Sequence, residues 1–280
     1  SLKAFNRRGK EVGNDTIIIE STGNIASASS SNLTISEIMY HPEQEDGNEF
    51  IELINLDPSK SVDLSGVYFR NGIEFTFPDR TVIGPGERII VNQNQFGNNS
   101  RLSNSGERIL LSDASGSIII DLNYGDNGAW PESPDGNGFS LIRIDPAGDR
   151  DPNLGIEWRP SIEAGGNPGI SDSIAFSGEN SSDLLAYAVP ENDDLTVEIN
   201  KNGKLVVTVR QKLGADDALI ELEQSTDGIT WARLTDGDGI ELSKRTHNSD
   251  GTESLEYKTL SKDLINQDPV ILFRATVRLR

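Results

Sequence analysis

The sequence predicts an all-β chain of two antiparallel β-sandwich domains in tandem, and three observations carry that prediction. Short runs of alternating apolar and polar residues recur about every 8–12 positions through residues 33–144 and again through 195–278. Turn dipeptides cut them: Asn71-Gly72, Gly84-Pro85-Gly86 and Asp227-Gly228. No long stretch has a helical period, and the hydrophobic fraction is 35%, which suits thin two-layer cores better than one large one.

In chain order, Leu2–Arg7 and Asp15–Glu20 read as the arms of a hairpin, and residues 23–32 (GNIASASSSN) as a small polar linker. An isolated hairpin is marginal in water, so 1–22 is expected to be the remnant of an upstream domain. The first sandwich spans 33–169, with strands expected near 33–40, 49–56, 67–70, 73–77, 87–92, 107–112, 118–124 and 139–144. In the run Phe50-Ile51-Glu52-Leu53-Ile54, Ile51 and Leu53 share one face while Phe50, Glu52 and Ile54 share the other. Residues 170–182 read as a second linker. The second sandwich spans 183–280. It begins with Asp183–Val189, a helical turn or a short strand, and strands follow near 195–199, 204–210, 218–224, 230–234, 240–244, 253–259 and 270–278.

The segments ISEIMYHP, GNEFIELINLDPSKSVDLSGVYFRNGIEFTFPDRTVIGPGERIIVNQN and RLSNSGERILLSDASGSIIIDLNYGDNGAWPESPDGNGFSLIRIDP occur in that order and close with EWRPSIEAGGNPG. Together they resemble the lamin tail domain of bacterial secreted proteins, over about residues 33–169. The resemblance implies an immunoglobulin-like sandwich, often a non-catalytic module beside hydrolase, nuclease or kinase domains. In nuclear lamins such a domain makes protein and chromatin contacts. KAFNRRGKEVGNDTIIIEST resembles the last two strands of immunoglobulin-like modules in large bacterial surface proteins. The C-terminal part more weakly resembles C-terminal β-modules of secreted proteins.

Charge narrows the function classes. Lys+Arg 25 against Asp+Glu 45 gives a net charge of −20, and both halves are acidic. Such a field repels phosphate backbones, so no nucleic-acid partner is expected. Cys is absent, which removes disulfide and thiol chemistry, and the two histidines, His41 and His247, are far apart. No apolar run is long enough to span a membrane, and the fragment opens without a signal peptide.

Several motifs carry candidate chemistry. Asp149, Asp151, Asn153 and Glu157 fall at positions 1, 3, 5 and 9 of a calcium-like loop, but Leu154 stands where an EF-hand needs Gly and Pro160 where it needs Glu. A turn capped by carboxylates is the plainer reading. The acidic run Glu43, Glu45, Asp46 and Glu49 reads as a solvated loop. Glu37, Glu49 and Glu52 could in principle form a paired-carboxylate sugar-cleaving site, which needs a spacing of about 5–9 Å. They read better as edge carboxylates accepting N–H bonds from neighbouring loops. Neither histidine has a nearby nucleophile motif, and Gly136-Asn137-Gly138 lacks the Lys-Ser/Thr of a phosphate loop. Trp130 and Trp158 are expected to plug the ends of the first core, and Trp231 to lie within the second.

The expectation is therefore a non-enzymatic binding or scaffolding module of an exported or cell-surface protein. Its partner would be a protein or a surface polymer. A calcium-stabilised adhesion module is the alternative, and a carbohydrate-binding or hydrolytic domain is third.

Overall fold

The computed structural model describes residues 2–5, 11–15, 24–44, 48–191, 195–237, 239–260 and 271–280. β1 (Leu2–Phe5) and β2 (Glu11–Asp15) pair antiparallel as a separate two-stranded sheet. The second arm thus lies earlier than the Asp15–Glu20 run, of which residues 16–20 fall outside the described residues.

Eleven strands then surround one core: β3 (Ile25–Ser27), β4 (Leu33–Met39), β5 (Phe50–Asn55), β6 (Ser61–Asp63), β7 (Tyr68–Asn71), β8 (Val82–Ile83), β9 (Arg88–Asn92), β10 (Glu107–Ser112), β11 (Ile118–Tyr124), β12 (Leu141–Arg143) and β13 (Trp158–Pro160). They form a five-stranded sheet, β13-β12-β4-β5-β9, and two three-stranded sheets, β11-β10-β7 and β3-β6-β8. All three send apolar side chains into a single cluster that includes Ile35, Ile51, Leu53, Val62, Ile109, Leu122 and Trp158. Ile51 and Leu53 point inward and Glu52 outward, as their alternation requires.

Three details depart from the expected strands. The polar stretch is structured over residues 24–32: β3 pairs parallel with β6, and the Asn32 side chain donates to Ser27 O and accepts from Ser29 N, which pins the turn before β4. Residues 73–77 form no extended strand. They return from the Asn71-Gly72 turn with a bridge between Tyr68 and Thr76 and bonds from Phe69 N to Phe75 O and from Phe77 N to Val67 O. β4 carries a bulge at Ser36, since Ile35 opposes Leu53 and Glu37 opposes Glu52. The extra residue lets Ile35 and Ile38 both enter the core and turns Glu37 to the outer face beside Glu52.

The C-terminal part corrects the second expected sandwich. Helix α1 (Ser181–Ala188) takes the helical option, with Asn180 and Asp183 forming a capping box at its start. β14 (Thr196–Ile199), β15 (Leu205–Lys212), β16 (Ala218–Ser225), β17 (Ala232–Asp236), β18 (Gly239–His247), β19 (Thr252–Thr259) and β20 (Leu272–Leu279) follow. Among the described residues they form one curled, half-barrel sheet in the order β14-β15-β19-β18-β17-β16-β20, with no second sheet facing it. Curling lets the sheet cover its own apolar face: Val207, Val209, Leu222, Leu234 and Ile240 meet one another directly. The helix caps one end through Leu184 and Ala188 against Ala218. A second layer is not needed to bury these residues, and strand alternation alone does not distinguish the two solutions.

Candidate functional site

The outer face of the five-stranded sheet carries the densest group of buried charge. Glu37 and Glu52, placed side by side by the bulge, are 2% and 1% exposed, beneath a strap formed by residues 162–174. Glu37 Oε1 accepts from Ser140 Oγ (2.6 Å) and from the strap amide of Asn167 (3.1 Å). Glu52 accepts from Ser36 Oγ (2.7 Å), from the strap amide of Gly169 (2.5 Å) and from Arg88 Nε (3.0 Å). Burial pushes the Glu37 carboxyl up to about 7, opposed by the Ser140 hydrogen bond and reinforced by the neighbouring Glu52 charge. Burial also raises Glu52, against its bonds from Ser36, Gly169 and Arg88. The cavity between these side chains and the strap is about 60 Å³ and holds no tryptophan. That is room for water rather than for a sugar ring.

The strap continues into a second charged group. Arg159, on β13, is 1% exposed. Its Nε and Nη2 donate to the two carboxylate oxygens of Asp216, at 2.6 and 2.7 Å. Its Nη1 donates to Asp172 Oδ2 (2.6 Å) and to Pro160 O, and Nη2 donates to Asp172 O. Burial by itself would lower the guanidinium pKa, but the two aspartates hold it above its ordinary value. Asp172 also accepts from Ile162 N and Asn167 Nδ2, so it ties the strap to itself. Asp216 precedes β16 of the curled sheet. One arginine thus joins the five-stranded sheet, the strap and the C-terminal sheet. The span 170–182, read from sequence as a linker, is at Asp172 a buried part of this joint.

A second arginine makes the same join from the C-terminal sheet, beside Arg159. Arg245, on β18, pairs with Glu253 on β19, both almost fully buried, and its Nη1 donates to the backbone carbonyls of Gly155 and Trp158. The Phe139 and His247 rings lie 4.4 Å apart between centroids across this contact.

Residues 26–126 match the family described as Lamin Tail Domain. This segment is a lamin tail domain. A search of curated proteins finds no match. Among solved structures, the Amycolatopsis orientalis exo-chitosanase CsxA is similar at 14% identity, over 89% of this chain but 26% of that one, with a TM-score of 0.22. A TM-score that low carries no inference about fold or activity.

Around the lamin tail domain the remaining candidate residues fall as follows. Glu49 accepts from the Leu102 amide (2.8 Å), so all three glutamates accept loop amides as expected, but Glu37 and Glu52 sit on the interior strands β4 and β5 and not at a sheet edge. Glu45 and Asp46 lie outside the described residues. In the calcium-like loop, Asp151 Oδ1 accepts from both the backbone and side-chain nitrogens of Asn153. Asn153 Oδ1 accepts from Asn123 N, and Glu157 Oε1 from Arg150 Nη1. Asp149 makes none of these bonds, and among the described residues no group of three acidic or histidine side chains is placed to hold a metal. Trp158 is fully buried and donates to Pro152 O, with Trp130 packed beside it. Trp231 corrects its expectation: it is half-buried on the surface, with the Arg274 guanidinium 4.2 Å from its ring centroid, and Ile229 beside it is 85% exposed. Asp227 Oδ1 accepts from the Ile229 and Thr230 amides, so this segment is a turn and strand alternation does not operate there.

Sequence reasoning missed Arg159, Asp172, Asp216 and Arg245, as well as the His41 Nδ1 to Asp135 Oδ1 bond of 2.6 Å. One signal was available for Arg159: a cation between Trp158 and Pro160, in a strand whose neighbours are apolar.

Proposed function

We propose that this chain is a non-catalytic binding and scaffolding unit of a larger exported or cell-surface protein, attaching it to another protein or to a surface polymer. The observation that carries the reading is the paired arginine joint. Arg159 and Arg245 hold the N-terminal sheets and the curled sheet together by charge-assisted bonds, one reaching out from β13 and the other reaching in from β18. Two β units fixed against each other act as a spacer that sets the position of whatever adjoins them.

The buried carboxylates support the non-catalytic half of the reading. Glu37 and Glu52 spend their acceptor capacity on strap amides and serine hydroxyls. An immunoglobulin-like arrangement of the N-terminal sheets leaves loops at both ends as the surface for a partner. A net charge of −20 favours partners other than phosphate backbones. Cell fractionation of the full-length protein tests the proposal. Deleting residues 24–280 should release it from the cell surface into the medium, and unchanged retention would refute an attachment role.

A further inference from the structure

The curled sheet ends in β20, and the geometry of that edge specifies what fits it. β20 pairs with β16 over eight residues, Leu272 opposite Ser225 through Leu279 opposite Ala218, with no break in register. The Arg280 amide donates to Asp217 O (2.9 Å), so even-numbered amides in this strand face β16. In an antiparallel ladder the alternate residues then turn their N–H and C=O groups the other way. Phe273, Ala275, Val277 and Leu279 therefore present a row of backbone donors and acceptors on the outer side, where no described strand pairs with them. The strand has no proline and no bulge, the usual devices that blunt an edge. Leu272 and Leu279, at its two ends, are 43% and 50% exposed.

We infer that this edge is a self-association surface, on which a second copy of the chain adds its own β20 antiparallel across a two-fold axis. A two-fold axis perpendicular to the sheet must pass through a residue paired with itself, so the registers can be enumerated. Centring on Arg274 opposes it to its own copy. Centring on Thr276 sets Arg274 opposite Arg278, and centring on Val277 sets Arg274 opposite Arg280. Like charges directly opposed destabilise a sheet pair. Centring on Phe273 avoids such a clash only along residues 272–274. Centring on Ala275 avoids every such clash along residues 272–278: Arg274 faces Thr276, Arg278 faces Leu272, and Phe273 faces Val277, a favourable aromatic–β-branched pair. The same register makes the outward-facing residue Ala275 a mutually hydrogen-bonded pair with its copy, so the exposed amides are satisfied in sequence. Arg274 and Arg278 pair within each chain with Glu223 and Glu221 yet stay half-exposed, so they still present cationic side chains to a second copy. At the other edge β14 offers four residues, half the length of β20.

Sedimentation equilibrium across a wide concentration range tests this. The expected mass rises from one chain, 30.5 kDa, to twice that value. Added salt should strengthen association, because two chains of net charge −20 repel each other. Ala275→Pro removes an outward N–H without touching the β16 ladder, and should abolish the dimer while leaving the circular dichroism spectrum unchanged. Leu272→Arg should weaken association and Leu272→Glu should strengthen it, since each meets Arg278 of the second copy while lying opposite the neutral Ser225 within its own chain. These two solvent-face variants test the register even where the proline variant misfolds. A chain that stays monomeric at every concentration and salt overturns the inference. So does a dimer equally strong in Leu272→Arg and Leu272→Glu, or a different protein occupying the edge in purified material.

Discussion

Replacing Arg159 by Met removes the joint's central cation while keeping much of the side-chain volume. The wild-type guanidinium makes five hydrogen bonds, three of them to the carboxylates of Asp172 and Asp216. Both aspartates are buried, at 6% and 8% exposure, so the variant strands two carboxylates in a site that water hardly reaches. Breaking a buried ion pair from one side costs about 3–5 kcal/mol. For a cooperative unit of this size, about 2–4 °C is lost per kcal/mol, so the melting temperature should fall by roughly 10 °C. Scanning calorimetry also reports whether the lamin tail domain and the curled sheet still melt together. Splitting of one transition into two would show that Arg159 couples them. The triple variant Arg159→Met, Asp172→Asn, Asp216→Asn relieves the stranded charge and should recover part of the loss, since a neutral replacement of a whole ionic group is often tolerated. A single variant melting within a degree or so of wild type would refute the reasoning.

Three further outcomes follow from the same face of the sheet. Gly166 has φ +70, and a Cβ there would press on Glu37 Oε1 and Ser140 Oγ, so Gly166→Ala should destabilise by at least the roughly 1–2 kcal/mol of the left-handed conformation, measurable by urea denaturation. Burial raises Glu37 from 4.5 to about 7, so the unfolded chain ionises first as pH rises. Its contribution is fully present below about pH 4.5 and is lost as pH climbs through 7, a difference of about 3 kcal/mol. Glu37→Gln should accordingly be more stable than wild type near about pH 8 and lose that advantage in acid, while a variant weaker at both ends would show that the charge is needed. In the calcium-like loop, Asp151, Asn153 and Glu157 already accept protein hydrogen bonds, so adding calcium in place of chelator should leave the melting temperature unchanged. A clear rise would establish binding to the folded state.

The strands were legible because the side-chain period of two survives wherever one face is buried. Residues 107–112 and 118–124 are strands over the whole expected spans. Closure of the C-terminal strands was not legible, because a curled sheet and a two-sheet sandwich bury the same alternating residues. The Ser36 bulge was hidden for a related reason: one inserted residue leaves no mark in composition yet reverses the face of Glu37. The glutamates were assigned to loop amides correctly, but their donors, Asn167 and Gly169, lie more than a hundred positions away. Arg159 and Asp216 are likewise separated by 57 residues. Charged residues in polar segments read as solvated by default, and only the tertiary fold turns Asp172 inward.

The most direct test of the fixed arrangement is a distance distribution between the two parts. The chain has no cysteine, so Ser59→Cys on the lamin tail domain and Lys201→Cys on the curled sheet, both at exposed positions, would carry the only two spin labels. Double electron–electron resonance should give one narrow distance in the wild-type background and a broadened one after Arg159→Met. A broad distribution in the wild-type background would contradict the account, because it would mean the two parts move independently despite the arginine joint.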